Sequence, residues 1–311
     1  MGIDRDVVVT CGCFEMKLGA LLQTTRGPFL LLTPACVLLG AAVVVADGAA
    51  LNTLSLSLCL LGALCAHVAV NTLNEYHDFH SGLDLATERT PFSGGSGALP
   101  NNPELERAVL MLGLLSLLVV TAIGLYFLQQ LGAAILPIGL AGVLLVLFYT
   151  GWVNRHPFIC LLAPGLGFGV LMVVGTQLVL QGHYTVAAGL AALVPFFLVN
   201  NLLLLNQYPD IEADRGAGRR HFPITYGTAT SSGVYAISVL LTVCVIVAGV
   251  LSGHFPPLSL VALLPMPLAL YAWSGAVRHG AAIGGYPRYL GANVAVVMLT
   301  TLLLGMSLIL G

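Results

Sequence analysis

The sequence predicts an all-α, polytopic membrane protein, a bundle of nine transmembrane helices with two acidic motif loops on the cytoplasmic side. Hydrophobic residues make up 58% of the 311 residues and charged residues only 8%, whereas a soluble domain carries about 25% charged residues. The mean hydropathy is +0.97. Apolar stretches of roughly 20 residues, which span a bilayer as a helix, recur along the chain. Residues 1–311 are therefore read as a single membrane domain.

Apolar length places each predicted helix in turn. The nine predicted spans are 28–47, 51–73, 106–128, 131–151, 158–180, 184–206, 232–252, 257–275 and 289–310. The first span is long and has no convincing small-residue cleavage site before its end, so we expect it to remain as a helix rather than to be removed as a signal peptide.

Orientation follows from the basic residues, because Lys and Arg are enriched in cytoplasmic loops. All eleven fall on one predicted side, and of the thirteen carboxylates only Asp47 falls on the other. The eleven are Arg5, Lys17, Arg26, Arg89, Arg107, Arg155, Arg215, Arg219, Arg220, Arg278 and Arg288. We expect the amino terminus and both acidic segments in the cytoplasm, the carboxyl terminus outside, and the cell membrane of a bacterium or an archaeon as the location.

Charge and cysteine content exclude some function classes. The net charge is −2, with no basic patch that follows a phosphate backbone, so no nucleic-acid partner is predicted. The seven cysteines are scattered and mostly lie inside spans, where they are read as small packing residues. Cys11 and Cys13 form an isolated CxC pair, which is a weak signal for a metal site.

Two polar segments interrupt the apolar sequence, and both follow an apolar span. In the first, Asn74 and Asp78 are four residues apart, so they share a face if the second helix continues this far. Glu75 lies beside them, and Asp84 follows. The second motif repeats the spacing, since Asn206, Asp210 and Asp214 are also four residues apart.

Carboxylates at the carboxyl end of a helix lie in an unfavourable dipole field and repel one another, so two such clusters facing one cavity require cations. Ligand sets of Asp, Glu and Asn oxygens suit Mg²⁺ or Mn²⁺ better than zinc or copper. Mg²⁺ commonly completes its shell with phosphate oxygens, which predicts a bound diphosphate. Four arginines near the motifs are candidates for direct phosphate contacts. They are Arg89, Arg215, Arg219 and Arg220.

A prenyl diphosphate fits this combination, with its head on the metal and its tail among the helices of the lipid bilayer. Metal and arginine would stabilise charge on the departing diphosphate, and dry apolar walls would protect the allylic cation from water. Tyr149 and Asn201 are expected to line the pocket, because they lie at a suitable depth on the same side.

These motifs resemble those of the UbiA superfamily of intramembrane prenyltransferases, which carry an NDxxD-type motif after the second helix and a DxxxD motif after the sixth. The first motif matches the longer-spaced form of dihydroxynaphthoate prenyltransferases. The matching residues are Asn74, Asp78 and Asp84, then Asn206, Asp210 and Asp214. Glu75 stands where the family usually has Asp; its extra methylene either shifts one metal ion or leaves Glu75 outside the direct metal shell.

The resemblance implies one UbiA-like domain over residues 1–311 and Mg²⁺-dependent transfer of an isoprenoid from its diphosphate to a small aromatic or lipid acceptor, as in menaquinone biosynthesis. Asp78 and Asp210 are expected to be required for catalysis. The expected metal-binding residues are Asn74, Glu75, Asp78, Asp84, Asp210 and Asp214. The expected substrate-binding residues are Arg89, Arg215, Asn206 and Tyr149.

Three alternatives remain at this point. A UbiA-type terpene cyclase would use the same donor site without an acceptor. A CDP-alcohol phosphotransferase also uses metal and diphosphate, but its DGxxAR-type signature is missing from this sequence. A membrane transporter could also use carboxylates within its helices. The acids here cluster near one surface and none lies at the midplane, so no path across the membrane is marked.

Overall fold

The computed structural model describes residues 17–311, so Arg5, Cys11 and Cys13 lie outside the described residues. All regular secondary structure in the described part is helical, as predicted. Its long helices are α1 Leu32–Ala46, α2 Thr53–His80, α3 Glu106–Leu131, α4 Leu136–Phe148, α5 Pro157–Gln181, α6 Val186–Asn206, α7 Phe222–Leu251, α8 Met266–His279 and α9 Pro287–Leu310.

Eight helical stretches within residues 17–311 are long and apolar enough to cross a membrane. One of them, Pro103–Phe148, has 46 residues, which would measure about 70 Å as a single helix against a hydrocarbon core of about 30 Å. It contains α3 and α4, joined by the 3₁₀ turn Gly132–Ile135. The predicted count of nine spans stays a prediction.

Helix α6 forms much of the core of the bundle. In the most apolar 18-residue stretch of α6, 67% of the residues are buried, whereas in that of α2 only 11% are. Small residues allow this close packing, since Ala188, Ala191 and Ala192 are all buried. Asn201 of α6 does not line the cavity described below, contrary to expectation. Its Nδ2 instead donates to the backbone carbonyl oxygen of Tyr235 at 2.9 Å. The backbone carbonyl oxygen of Asn201 accepts a hydrogen bond from the Asn293 amide at 3.1 Å.

The ends of two helices position the acidic residues. Helix α2 ends at His80 rather than near residue 73, so Asn74 and Asp78 lie on its last turns. Helix α6 ends at Asn206, the first residue of the second acidic segment. Both segments reach the same end of the bundle, where they line one cavity; this end is called the motif end.

Candidate active site

A cavity of about 500 Å³ extends from the motif end into the bundle. It is lined by α2, α3, α4 and α5, and its most distant α2 residue is Leu58. Because Leu58 precedes Asp78 by twenty residues on one helix, the lining extends over about 30 Å. Polar side chains concentrate at the motif end, while residues such as Phe127, Ile135 and Leu136 line the far part. The cavity therefore has the shape and polarity for a molecule with a polar head and a long apolar tail.

The first motif enters this cavity from the end of α2. The amide of Asn74 donates to Asp78 Oδ2 at 3.0 Å, as the four-residue spacing predicts. Gly82 then adopts φ +79°, a left-handed conformation that glycine tolerates and that commonly ends helices. The resulting turn leads into the short helix Leu83–Ala86, whose Asp84 is buried and lines the cavity.

The second motif enters from the end of α6. Asn206 is the last residue of that helix, and Asp210 precedes the short helix Ile211–Gly216. Asp214 lies one turn further along, with its backbone N–H donating to the carbonyl oxygen of Asp210 at 2.8 Å. All three side chains line the same cavity as the first motif. The structure thus brings Asn74, Asp78, Asp84, Asn206, Asp210 and Asp214 together.

Arg219 joins the two motifs. Its side chain is only 17% exposed, and its guanidinium donates to Asp214 Oδ1 at 2.8 Å and to Asp78 Oδ1. These carboxylates raise the pKa of Arg219 above its ordinary value, against the effect of burial. The remaining oxygen of Asp214 lies 2.8 Å from His221 Nε2. Asp78 and Asp214 are therefore both paired within the protein: they share one guanidinium, and Asp214 also contacts His221.

Three oxygens in the same cavity are buried without a hydrogen-bond partner. They are Asp84 Oδ2, Asn206 Oδ1 and Asp210 Oδ1. Carboxylate and amide oxygens only accept hydrogen bonds, and buried acceptors rarely remain unpaired. Such oxygens fit Mg²⁺ or Mn²⁺, which take oxygen ligands. Within residues 17–311 no three His, Cys, Asp or Glu side chains form a ready metal cluster.

The two acids with unpaired oxygens have raised pKa values. Burial raises the pKa of Asp84 to about 7, with further contributions from the charges of Glu75 and Asp78. Burial also raises the pKa of Asp210 to about 6, with Asp214 contributing. Burial is the largest cause in both cases and neighbouring negative charge adds to it; a bound cation would lower both pKa values.

A family model described as "UbiA prenyltransferase family" matches residues 32–283, most of the chain. The chain belongs to the UbiA prenyltransferase family. It is therefore a prenyl-transferring enzyme, and it is an integral membrane protein with several apolar helices.

Individual proteins agree with this membership. The chain is 27% identical over 223 residues to the 1,4-dihydroxy-2-naphthoate octaprenyltransferase of Bacillus subtilis (strain 168), covering 71% of this chain and 70% of that protein. It is 29% identical over 240 residues to UbiA prenyltransferase domain-containing protein 1 of Xenopus tropicalis, covering 75% and 66%.

Solved structures share the fold. A UbiA homolog from Archaeoglobus fulgidus bound to DMAPP and Mg²⁺ superposes with a TM-score of 0.63 at 17% identity, covering 89% of this chain and 98% of that one. A digeranylgeranylglyceryl phosphate synthase superposes with a TM-score of 0.65 at 15% identity, covering 95% and 99%. The all-α membrane fold predicted from the sequence is confirmed.

Glu75 of this UbiA-family protein is fully buried and does not line the cavity. Its carboxylate accepts hydrogen bonds from the Ser96 backbone N–H at 2.6 Å and from the Ser96 hydroxyl at 2.8 Å. Arg26 adds an ion pair at 3.1 Å. Both oxygens of Glu75 thus have hydrogen-bond partners, so Glu75 is not among the residues with an unpaired oxygen.

The predicted substrate-binding residues divide into two groups. Tyr149 and Asn206 line the cavity. Arg215 does not: it pairs with Glu212 at 2.8 Å on the exposed surface. Arg89 also lies outside the lining, and its guanidinium is 3.5 Å from the Asp84 carbonyl oxygen. Their contacts with substrate stay predictions.

Sequence reasoning missed two contributors to the cavity, Arg26 and His221. Arg26 was assigned only to membrane orientation, and His221 was not selected. The glycine-rich segment after the first motif also approaches the second motif, because the Gly94 backbone N–H donates to Asp210 Oδ2 at 3.1 Å.

Proposed function

We propose that this protein is a Mg²⁺-dependent intramembrane prenyltransferase that moves an isoprenoid chain from a prenyl diphosphate to an aromatic quinone precursor. One observation carries the proposal: three residues at the head of a long apolar cavity, Asp84, Asn206 and Asp210, each have a buried oxygen without a hydrogen-bond partner. Such oxygens favour a cation, and the apolar remainder of the cavity suits an apolar tail.

Asp84, Asn206 and Asp210 are the residues proposed to hold the metal. Mg²⁺ bound there would neutralise charge on the leaving diphosphate. Asp78 and Asp214 hold Arg219 at the edge of the same cavity. That guanidinium is the protein's own donor for phosphate oxygens, because its planar fork matches them geometrically.

The apolar part of the cavity binds the isoprenoid tail and excludes water from the reacting carbon. The C–O bond to the diphosphate breaks, and its electron pair leaves with the diphosphate. An electron pair of the acceptor ring forms the new C–C bond. Aromaticity returns when the displaced ring substituent leaves without its bonding electrons, as a proton or, from a carboxylate, as CO₂. The Bacillus relative, named for 1,4-dihydroxy-2-naphthoate, supports an acceptor of that type.

We also propose that the motif end faces the cytoplasm. The positive-inside rule supports it, because all eleven Lys and Arg residues fall on one predicted side. A reporter fused to the carboxyl terminus is expected to lie outside the cell. A cytoplasmic carboxyl terminus would contradict this orientation.

The direct test is product formation by the purified full-length protein with several prenyl diphosphates, with and without Mg²⁺ and aromatic acids. A prenylated acid is expected only when donor, metal and acceptor are all present. Asp78→Ala and Asp210→Ala should abolish turnover. Asp47→Ala is the matched control, because Asp47 bonds Gln181 far from the motifs. Wild-type rates in both motif variants would refute the site.

The same assay separates the alternatives. Diphosphate release with a cyclic hydrocarbon and no need for an acceptor would indicate a terpene cyclase. Release of no diphosphate from any donor, together with flux of an unmodified substrate into vesicles, would indicate transport.

A further inference from the structure

A second pocket, of about 340 Å³, lies beside the candidate active site. The segment from Gln23 to Phe29, which precedes α1, forms one side. The segment from Thr90 to Ser96, which follows the first motif, forms the other, and Val294 of α9 completes the lining. Nothing in the proposed donor site uses this space.

The two cavities are adjacent, and the residues that line both form a shared wall. Five residues line both of them: Arg26, Phe29, Phe92, Ser93 and Gly95. The active-site face of this wall touches the proposed metal ligands, because a Cβ on Gly95 would stand 2.8 Å from Asp84 Oδ1. A molecule in the second pocket therefore lies next to the head of the donor, where the bond to diphosphate breaks.

The chemistry of the second pocket favours a flat anion. Phe29 and Phe92 provide aromatic surface, and among the described residues its lining contains one cation, Arg26, and no carboxylate. Arg26 donates to Glu75 and Asn74 through Nε and Nη2, while Nη1 makes no hydrogen bond to any residue in 17–311. A guanidinium edge of this kind suits a carboxylate.

The backbone of Arg26 supports a functional role. Its φ of +54° is the one positive value of a non-glycine residue in the described part of the chain. Such residues are held against a steric cost and concentrate at ligand-binding sites. Here the conformation directs a partly exposed guanidinium into the wall between the two cavities.

We infer that the second pocket binds the acceptor, a planar aromatic carboxylate, with its carboxylate on Arg26 and its ring against Phe29 and Phe92. The inference rests on the proposed function for the identity of the reaction. Donor and acceptor then occupy adjacent cavities, and the reacting ring carbon reaches the donor past the shared lining. The acceptor enters from the motif end, and the donor tail remains in the apolar cavity. Ser93 and Gly95 have the smallest side chains in that wall.

The test fills the second pocket without touching the first. Gly27 and Val294 line only the second pocket, and a Cβ on Gly27 meets no atom within 4 Å. Gly27→Phe and Val294→Phe are therefore two independent filling variants. Gly189→Phe is the matched control, because Gly189 on α6 also has open space, borders neither cavity and is exposed. The probe is 1-hydroxy-2-naphthoate, whose binding to the full-length protein is measured without metal or donor.

Both filling variants are expected to weaken probe binding about tenfold or more, since overfilling a site costs at least that much. Wild type and Gly189→Phe should bind alike. The corresponding naphthamide should bind wild type about tenfold more weakly than the acid, because it lacks the charge that pairs with arginine. In steady-state kinetics the filling variants should raise KM for the acceptor and leave KM for the donor unchanged.

Several results would overturn the inference: wild-type binding by both filling variants, no binding of the acid to wild type, or equal binding of the amide. Loss of a glyceryl phosphate acceptor alone in the filling variants would assign the pocket to a different class of acceptor. These outcomes are separable from failure of the proposed function. An enzyme that binds the acid but transfers no prenyl group refutes the function, whereas turnover with an unchanged acceptor KM in both variants refutes only the pocket.

Discussion

Arg219→Met is expected to destabilise the metal-free protein strongly. The substitution removes the guanidinium that pairs with Asp78 and Asp214, and it leaves two carboxylates that are 8% and 6% exposed facing each other. Breaking a buried ion pair by deleting one partner costs about 3–5 kcal/mol. With an unfolding entropy of about 2.1 cal/mol/K per residue, the 311 residues convert this cost into a Tm lower by about 5–8 °C.

Thermal unfolding in detergent, with and without Mg²⁺, measures this effect. Mg²⁺ should raise the Tm of Arg219→Met more than that of wild type, because the two released carboxylates become available to a cation. Arg215→Met is the matched control: the same substitution breaks a pair whose side chains are 53% and 81% exposed. Exposed pairs contribute about 0–1 kcal/mol, so its Tm should change by less than about 2 °C.

Two results would refute this reasoning. One is a Tm for Arg219→Met within the range of Arg215→Met, which would show that the bridge contributes no more than a surface pair. The other is a smaller Mg²⁺-induced rise in Arg219→Met than in wild type, which would show that the guanidinium assists cation binding instead of standing in for a cation.

Three further predictions concern the pH dependence of stability, Gly95 beside Asp84, and the binding of the donor's isoprenoid tail. The pKa values of Asp84 and Asp210 are raised to about 7 and about 6, so above about pH 4 the metal-free protein binds more protons than the unfolded chain. Its Tm should therefore fall from about pH 5 to 7.5, while the stabilisation by Mg²⁺ grows over the same range. A Mg²⁺ effect that does not change with pH would contradict this. Gly95→Ala should lower the Tm and weaken the stabilisation by Mg²⁺, because φ is +72° and the methyl group would stand 2.8 Å from Asp84 Oδ1. Gly285→Ala should do neither, because a Cβ on Gly285 would meet no atom within 4 Å. Gly139 lines the apolar cavity, and a Cβ there would meet no atom within 4 Å. Gly139→Leu should therefore lower kcat/KM for long prenyl donors more than for short ones. An unchanged ratio of the two kcat/KM values would show that Gly139 does not border the path of the tail.

The membrane fold and the convergence of the two motifs were predictable from the sequence. Both rest on local patterns: apolar length predicts the helices, and the four-residue spacing puts Asn74 beside Asp78. The end of α2 was placed too early because its last turns are polar. Those turns remain helical to His80, and their buried acids Glu75 and Asp78 bond to distant segments.

The partner of each acid was not predictable, because it depends on which distant segment approaches it. Glu75 and Asp78 are both carboxylic acids and lie three residues apart on the same helix. Yet Ser96 and Arg26 occupy both of its oxygens, while Asp78 faces the cavity and Arg219. Composition indicated several arginines near the motifs, and only the fold distinguishes the one that joins them.

The arrangement of charge explains why metal and diphosphate would bind together. Arg219 pairs with Asp78 and Asp214, and Asp84 and Asp210 keep oxygens without a partner. A diphosphate alone would meet those carboxylates and be repelled. A metal alone would bind through few protein oxygens, those of Asp84, Asn206 and Asp210, and therefore more weakly than with a diphosphate that supplies further ligands. Each therefore completes the site for the other, so the affinity for Mg²⁺ should rise when a non-reactive prenyl diphosphate analogue is present, and by linkage the analogue should bind more tightly with Mg²⁺ by the same factor.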